Sequence, residues 1–150
     1  MLHNDLNQLR AKTNTKVMAY LNAMARDPIL KGFGVVGGYV NETIRDLAVQ
    51  MAYFSRSRMS VEDVKKMFKA AGLWAITDAE AKTKCTETLE SKHLLGKAAD
   101  IAPSKDGKTP WWNAPDEVWA RMAKIAEACG LESGYGWKAF KDSPHVQDNE

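Results

Sequence analysis

Histidine and cysteine are scarce in this chain of 150 residues, with three of the first and two of the second. Cys85 and Cys129 are too few for a disulfide scaffold, and without a secretory signal they are expected to be reduced and partly buried. No apolar run approaches about 18 residues, which argues against a helical membrane span. The N-terminus likewise has no apolar core of the kind an export signal needs. A net charge of +2 provides no basic stripe, so no nucleic-acid partner is expected, although attraction to an anionic polymer is allowed. The glycines of Gly32–Val40 are followed by no Gly-Lys-Ser/Thr, which argues against a phosphate loop.

What is present is ordinary soluble composition, 45% hydrophobic and 27% charged, in a length that suits one domain spanning 1–150. Leu6, Leu9, Val17, Leu21 and Met24 predict a scaffold helix over 5–26, stopped by Asp27-Pro28. A buried strand is expected within Gly32–Val40. A helix over about 42–57 comes next, capped by Asn41 or Thr43, with Ile44, Leu47, Ala48 and Met51 inward. Ser60 starts another, with Val64, Met67, Phe68 and Ala71 on one stripe and Gly72 at its end. Thr77 opens a short helical piece, and Lys82 to Leu89 reads as an extended approach to the loop that begins at Ser91. A strand ends at Ile101-Ala-Pro103, and Ser104–Thr109 is expected to be a flexible polar loop. Trp111 and Trp112 suit either a groove or the core. Pro115, Asp116 and Glu117 open a last helix whose inward face is Val118, Trp119, Met122, Ile125, Ala126 and Cys129, ended by Gly130.

Two of the three histidines lie in segments that also carry a carboxylate. In Ser91-Lys-His-Leu-Leu-Gly-Lys-Ala-Ala-Asp100, His93 and Asp100 are seven positions apart. On an unbroken helix they would sit about 10 Å apart along the axis, and on an unbroken strand they would face opposite ways. A bend at Gly96 is needed to bring them together. In Phe140-Lys-Asp-Ser-Pro-His145, Pro144 keeps Ser143 out of helical geometry, so a turn can aim Asp142 and His145 at one point. His93, Asp100 and His145 make three protein ligands with one open position, the catalytic pattern for zinc. A histidine and aspartate at an arbitrary spacing are more often a hydrogen-bonded pair, so the wider pattern has to carry this reading. His3, near the terminus, is given no role.

That wider pattern is Ser-x-His-x-x-Gly-x-Ala-x-Asp over 91–100, joined to Asp142-Ser-Pro-His145. It closely resembles the VanY-like zinc peptidases of bacterial cell walls, which include the D-Ala-D-Ala carboxypeptidases and dipeptidases and the phage L-alanyl-D-glutamate endopeptidases. The resemblance covers roughly 37–146. It implies a Hedgehog/D-Ala-D-Ala peptidase-like α+β fold, a small antiparallel sheet packed with helices. It further implies zinc on His93, Asp100 and His145 and Asp142 as proton carrier, with Glu132 the alternative. Arg45 would point at the substrate carbonyl and Gln50 would lie near the bound peptide. Ser91 would touch substrate or orient its loop, and Trp137 would help line the site. Ser57 stands where relatives carry glycine before Arg58, Glu87 where they often carry tryptophan, and Ser133 and Tyr135 where they carry tryptophan and glycine. The activity implied is a phage-type L-alanyl-D-glutamate endopeptidase. Such an enzyme is a monomer made in the host cytoplasm without a signal peptide and released to the wall at lysis, where it acts on the peptidoglycan stem peptide. A D,D-carboxypeptidase is the second enzymatic reading, and a zinc-containing wall-binding module is the non-enzymatic one.

Overall fold

The computed structural model describes residues 2–150. Asp5 accepts the amide of Asn7 and opens a single turn, Leu6–Gln8, before helix α1 runs from Ala11 to Arg26. The expected 5–26 helix is thus broken in two. Thr13, Val17, Tyr20 and Met24 form its buried stripe, at spacings of four, three and four residues. Asp27 ends α1 and also caps α2 (Pro28–Gly32), where Pro28 supplies a preset first turn and the Asp27 carboxylate accepts the Leu30 amide at 2.9 Å. The strand expected from Gly32 therefore begins later. Gly34 turns the chain at a φ of 81°, and β1 runs from Gly37 to Glu42.

Strand β2 (Ala98–Ser104) pairs antiparallel with β1 on one side and with β4 (His145–Gln147) on the other. Together with β3 (Glu132–Ser133) they form an antiparallel sheet of order β1-β2-β4-β3. Its inner face is packed by α1 and by α6 (Asp116–Ala128), which buries Val118, Trp119, Met122, Ile125 and Ala126 as the spacing predicted. Each large side chain buried here contributes about 1.5–3 kcal/mol. The approach of α1 to the sheet is close. A Cβ placed on Gly38 would stand 2.7 Å from the Leu21 Cδ2 and 2.9 Å from the Ile101 Cγ2.

A second apolar cluster lies beside the sheet, built from α3 (Leu47–Ser55), α4 (Val61–Ala70) and α5 (Asp78–Ala81). Ser60 caps α4 through the Asp63 amide and Thr77 opens α5, both as expected, and at α5 Thr77 and Glu80 form a reciprocal capping box. Helix α3 departs from expectation. It starts after Asp46, and its buried face is Val49, Gln50, Ala52 and Tyr53, while Leu47 and Met51 are exposed. The segment is apolar nearly all round, so its periodicity could not choose a face. Packing against Val64 and Phe68 of α4 chooses it.

Three further expectations change. Lys82–Leu89, expected to be extended, runs as irregular chain broken by bends and pairs with no strand among the described residues. Ser104–Thr109 is a tight turn around Asp106, whose carboxylate accepts the amides of Lys108 and Thr109 at 2.8 Å each. Trp111 packs on the core and Trp112 stacks on Trp119, so neither tryptophan lines the cleft. Cys85 and Cys129 are free thiols, one in each apolar cluster, and burial pushes both up in pKa. No helix among the described residues is long and apolar enough to cross a membrane.

Candidate metal centre

Three residues stand in one row across the sheet. Glu42 of β1 is opposite Asp100 of β2, which is opposite His145 of β4. Directly paired residues share a face. On β2, Ala99 and Ile101 enter the core while Asp100 between them faces the other way, into a cleft of about 430 Å³. A bulge between Val40 and Glu42 sets this row, since regular pairing would put Asn41 opposite Asp100.

His93 reaches the row from the turn Lys92–Leu95, which ends where Gly96 adopts a φ of 66°. This is the bend that the seven-residue spacing required. Ser91 caps the turn by accepting the His93 amide at 3.3 Å, so of its two expected roles the structure exhibits loop orientation. One ligand atom from each of His93, Asp100 and His145 lies within 4.8 Å of the others. Asp100 Oδ1 is 3.2 Å from His93 Nε2 and 3.4 Å from His145 Nδ1.

The outer hydrogen bonds decide which imidazole nitrogens are bare. His93 Nδ1 faces the Thr43 carbonyl, which can only accept, so Nδ1 carries the proton and Nε2 presents a lone pair. His145 Nε2 donates to the Gln147 Oε1 at 2.9 Å, and the same amide's nitrogen donates to Glu132 at 3.1 Å, which fixes its orientation. His145 Nδ1 is then bare as well. With both imidazoles neutral, two lone pairs and a carboxylate oxygen converge on one point, an arrangement that repels itself unless a proton or a metal cation sits among them. The donors fit zinc, and carbonyl and amide partners behind metal-binding histidines are the usual outer support.

Burial pushes the Asp100 carboxyl upward, but the charges and hydrogen bonds of His93 and His145 outweigh it and hold it well below the usual carboxylate range. Burial pulls His145 down, and Asp100 and Asp142 together raise it above its ordinary value. Asp142 lines the same cleft, and burial and the Asp100 charge push its carboxyl up to about 6. No hydrogen bond or ion pair engages that side chain among the described residues, so it is free to exchange a proton. Glu132 is committed elsewhere. It accepts from the Trp137 indole at 2.7 Å, from Gln147 and from Asn149, and these bonds hold it below the usual carboxylate range. It belongs to the support of His145 and is not a free base.

Arg45 precedes α3 instead of lying within it. Its guanidinium forks onto Glu42 at 2.9 and 2.8 Å, donates to Gln50 at 2.7 Å, and stands 3.5 Å from Asp100. It faces the cleft over the Tyr53 ring, at 4.6 Å from the ring centroid. Gln50 is not brought to the cleft surface. It is fully buried, with its oxygen on Arg45 and its nitrogen on the Thr88 carbonyl at 2.6 Å, so it ties the arginine to the 86–88 wall. Trp137 lines the cleft with its ring 4.9 Å from that of His145.

Sequence reasoning missed Glu42, Thr43 and Gln147. The acid three residues before Arg45 was a legible signal for the first, whereas the Thr43 contact is through backbone and leaves none. His3 also does more than expected. Its carbonyl accepts the Thr43 amide at 2.7 Å and its ring contacts Asp46 at 3.2 Å. Ser57 sits at a φ of 64°, in the left-handed region that favours glycine.

Residues 84–148 match the family model described as D-alanyl-D-alanine carboxypeptidase. Over 72 residues the chain is 38% identical to the L-alanyl-D-glutamate peptidase of Listeria phage A118, covering 47% of this chain and 25% of that one. Over 65 residues it is 38% identical to the peptidoglycan L-alanyl-D-glutamate endopeptidase CwlK of Bacillus subtilis, covering 39% of each. Part of the chain is thus similar to bacterial and phage peptidases of the cell wall. Its matches span only a quarter to two fifths of the length of these curated relatives. The fold is that of the Serratia marcescens L-Ala D-Glu endopeptidase ChiX, with a TM-score of 0.56 at 20% identity over 96% of this chain and 83% of that one. It is also that of the vancomycin-resistance D,D-pentapeptidase VanY, solved in complex with Zn(II), with a TM-score of 0.55 at 18% identity over 95% of this chain and 73% of that one.

Proposed function

We propose that this protein is a zinc-dependent peptidoglycan peptidase that cleaves the L-alanyl-D-glutamate bond of the stem peptide and serves as a phage endolysin acting as a monomer. The observation that carries this reading is the convergence of three metal-ligand atoms beside an unengaged carboxylate on one cleft wall. His93, Asp100 and His145 hold the metal, within a catalytic core of about 37–146 for which the N-terminal helix is scaffold. Zinc held there supplies Lewis acidity, which acidifies water and polarises a carbonyl. Asp142 takes the proton from the attacking water and returns it to the leaving amine. Arg45 holds Asp100 in place from behind and offers positive charge to the carbonyl oxygen. Trp137 and Ser91 border the bound peptide, and Gln50 acts on it only through Arg45 and the 86–88 wall. The two curated relatives, both named for this bond, support the choice over a D,D-carboxypeptidase.

The test is to incubate the zinc-loaded protein with purified peptidoglycan and identify new termini by mass spectrometry. A free L-alanine carboxyl paired with a D-glutamate amine is expected. Release of D-alanine would mean a D,D-carboxypeptidase, and binding without new termini would mean a wall-binding module. In the same assay His93→Ala should lose both stoichiometric zinc and turnover. Asp142→Asn should retain zinc and lose about 10²–10⁴-fold in rate.

A further inference from the structure

The charged groups lining the cleft are mostly committed. Arg45 is held beside the metal centre by Glu42 and Asp100 and is already assigned to the carbonyl oxygen. Glu87 pairs with Lys84 at 3.0 Å and lies 4.0 Å from Arg58, which itself stacks on Phe54. Glu90 and Lys92 lie two residues apart on the rim, where a second, shallower pocket opens. Arg56 differs from all of these. It lines the cleft just past the end of α3, and its Nε donates to the carbonyls of Glu80 at 2.8 Å and Thr83 at 3.0 Å. Its guanidinium also reaches the Cys85 thiol. No carboxylate comes within ion-pair distance of it among the described residues. Glu80, whose carbonyl helps to hold it, keeps its own carboxylate on Thr77.

A half-buried arginine tethered by Nε to two carbonyls has its plane fixed while charge and donors remain for a partner. Such a group loses little entropy when it binds a carboxylate, and the fork geometry matches one. A flexible rim lysine such as Lys92 lacks that preorganisation. Trp74 and Tyr53 flank the same wall, at 6.2 Å between ring centroids, and give the aliphatic part of a peptide a surface. Resting on the peptidase reading above, we infer that Arg56 is the carboxylate receptor of this cleft, so that the preferred substrate is an acidic peptide whose free carboxylate docks on Arg56 while its scissile amide lies at the metal centre.

The test uses the full-length zinc-loaded protein and the synthetic peptide L-Ala-γ-D-Glu-L-Lys-D-Ala, together with its two mono-amides, one at each free carboxylate. Binding is read by isothermal titration and cleavage separately by mass spectrometry. Wild-type protein is expected to bind the free peptide at least about tenfold more tightly than one of the mono-amides. Arg56→Gln should bring that ratio close to one, and Arg56→Lys, which keeps the charge but loses the tethers, should fall between. A variant that merely loosened the 80–83 turn would weaken all three peptides alike, and that result would overturn the assignment. So would a wild-type protein indifferent to amidation, or an Arg56→Gln protein that keeps the wild-type preference. Cleavage without carboxylate preference would remove this inference and leave the peptidase reading standing. Preference without cleavage would do the reverse.

Discussion

Gly134 is the position at which a single methyl group should damage catalysis without touching a metal ligand. Its backbone lies against that of Asp142, whose amide donates to the Gly134 carbonyl at 2.9 Å. A Cβ on residue 134 would stand 2.3 Å from the Asp142 carbonyl oxygen and 3.1 Å from the Asp142 Cβ. A relaxed carbon–oxygen contact is about 3.3 Å, so the 142 backbone must retreat by roughly 1 Å. Backbone cannot rotate out of the way as a side-chain end can, and the retreat carries the Asp142 carboxylate with it. A misplacement of about 1 Å costs on the order of 10²-fold in rate, or about 2.7 kcal/mol in the barrier. Gly134→Ala is therefore expected to lower kcat on peptidoglycan about a hundredfold. Zinc should remain bound at one equivalent, because His93 and Asp100 lie on other segments and His145, although only three residues from Asp142, is held in β4 by its pairing with Asp100 and by Gln147. The control is Gly136→Ala, two residues on, where an added Cβ meets nothing within 4 Å. Turnover, zinc affinity by chelator competition, and Tm should be measured on both. If Gly134→Ala retained kcat within about twofold of wild type while folding normally, the assignment of Asp142 as a precisely held proton carrier would be wrong.

Two further outcomes concern the scaffold. Gly38→Ala forces a methyl onto Leu21 and onto the Ile101 Cγ2. Leu21 can swing but a buried β-branched residue in mid-sheet cannot, so a loss of about 1–3 kcal/mol is expected. This should appear as a Tm fall of about 2–12 °C with zinc affinity unchanged. The second outcome is a pH dependence at Asp27. The Arg121 fork, partly opposed by burial and helped by the Leu30 amide, holds this carboxyl below its ordinary value. A folded pKa below the unfolded one means that the stability it adds is present above about pH 4 and is lost as pH falls through the folded value. Urea unfolding between pH 7 and pH 3 should show this loss, and Asp27→Asn should flatten that part of the profile.

Much of the fold was legible because the elements carry their own punctuation. Asp27-Pro28, Ser60, Thr77-x-x-Glu80 and Gly130 end or begin helices where their side chains and backbone freedom require it. Periodicity worked where one face was clearly polar, as in α6, and failed at α3, where Leu47 and Met51 are as apolar as Val49 and Tyr53. There the buried face is chosen by α4, a partner that no window on α3 contains. The grouping of His93, Asp100 and His145 was legible because few histidines compete for such a role and because a glycine supplied the bend between His93 and Asp100.

The support of those ligands was not legible, and the bulge in β1 is the reason. Side chains alternate along a strand, so with Gly38 and Val40 toward α1 a regular β1 would send Asn41 into the cleft and Glu42 back toward the core. The extra residue puts both on the cleft side, and Glu42 then takes the place opposite Asp100. From there it holds Arg45 in a bidentate fork, and Arg45 in turn reaches Gln50 and Asp100. The next residue, Thr43, is delivered with its carbonyl on His93 Nδ1, which sets the tautomer that bares Nε2. One irregular step in the pairing therefore places both the charge behind Asp100 and the acceptor behind His93. A pattern of apolar and polar residues has a period but no way to mark a skipped beat, so these roles became visible only once the register was known.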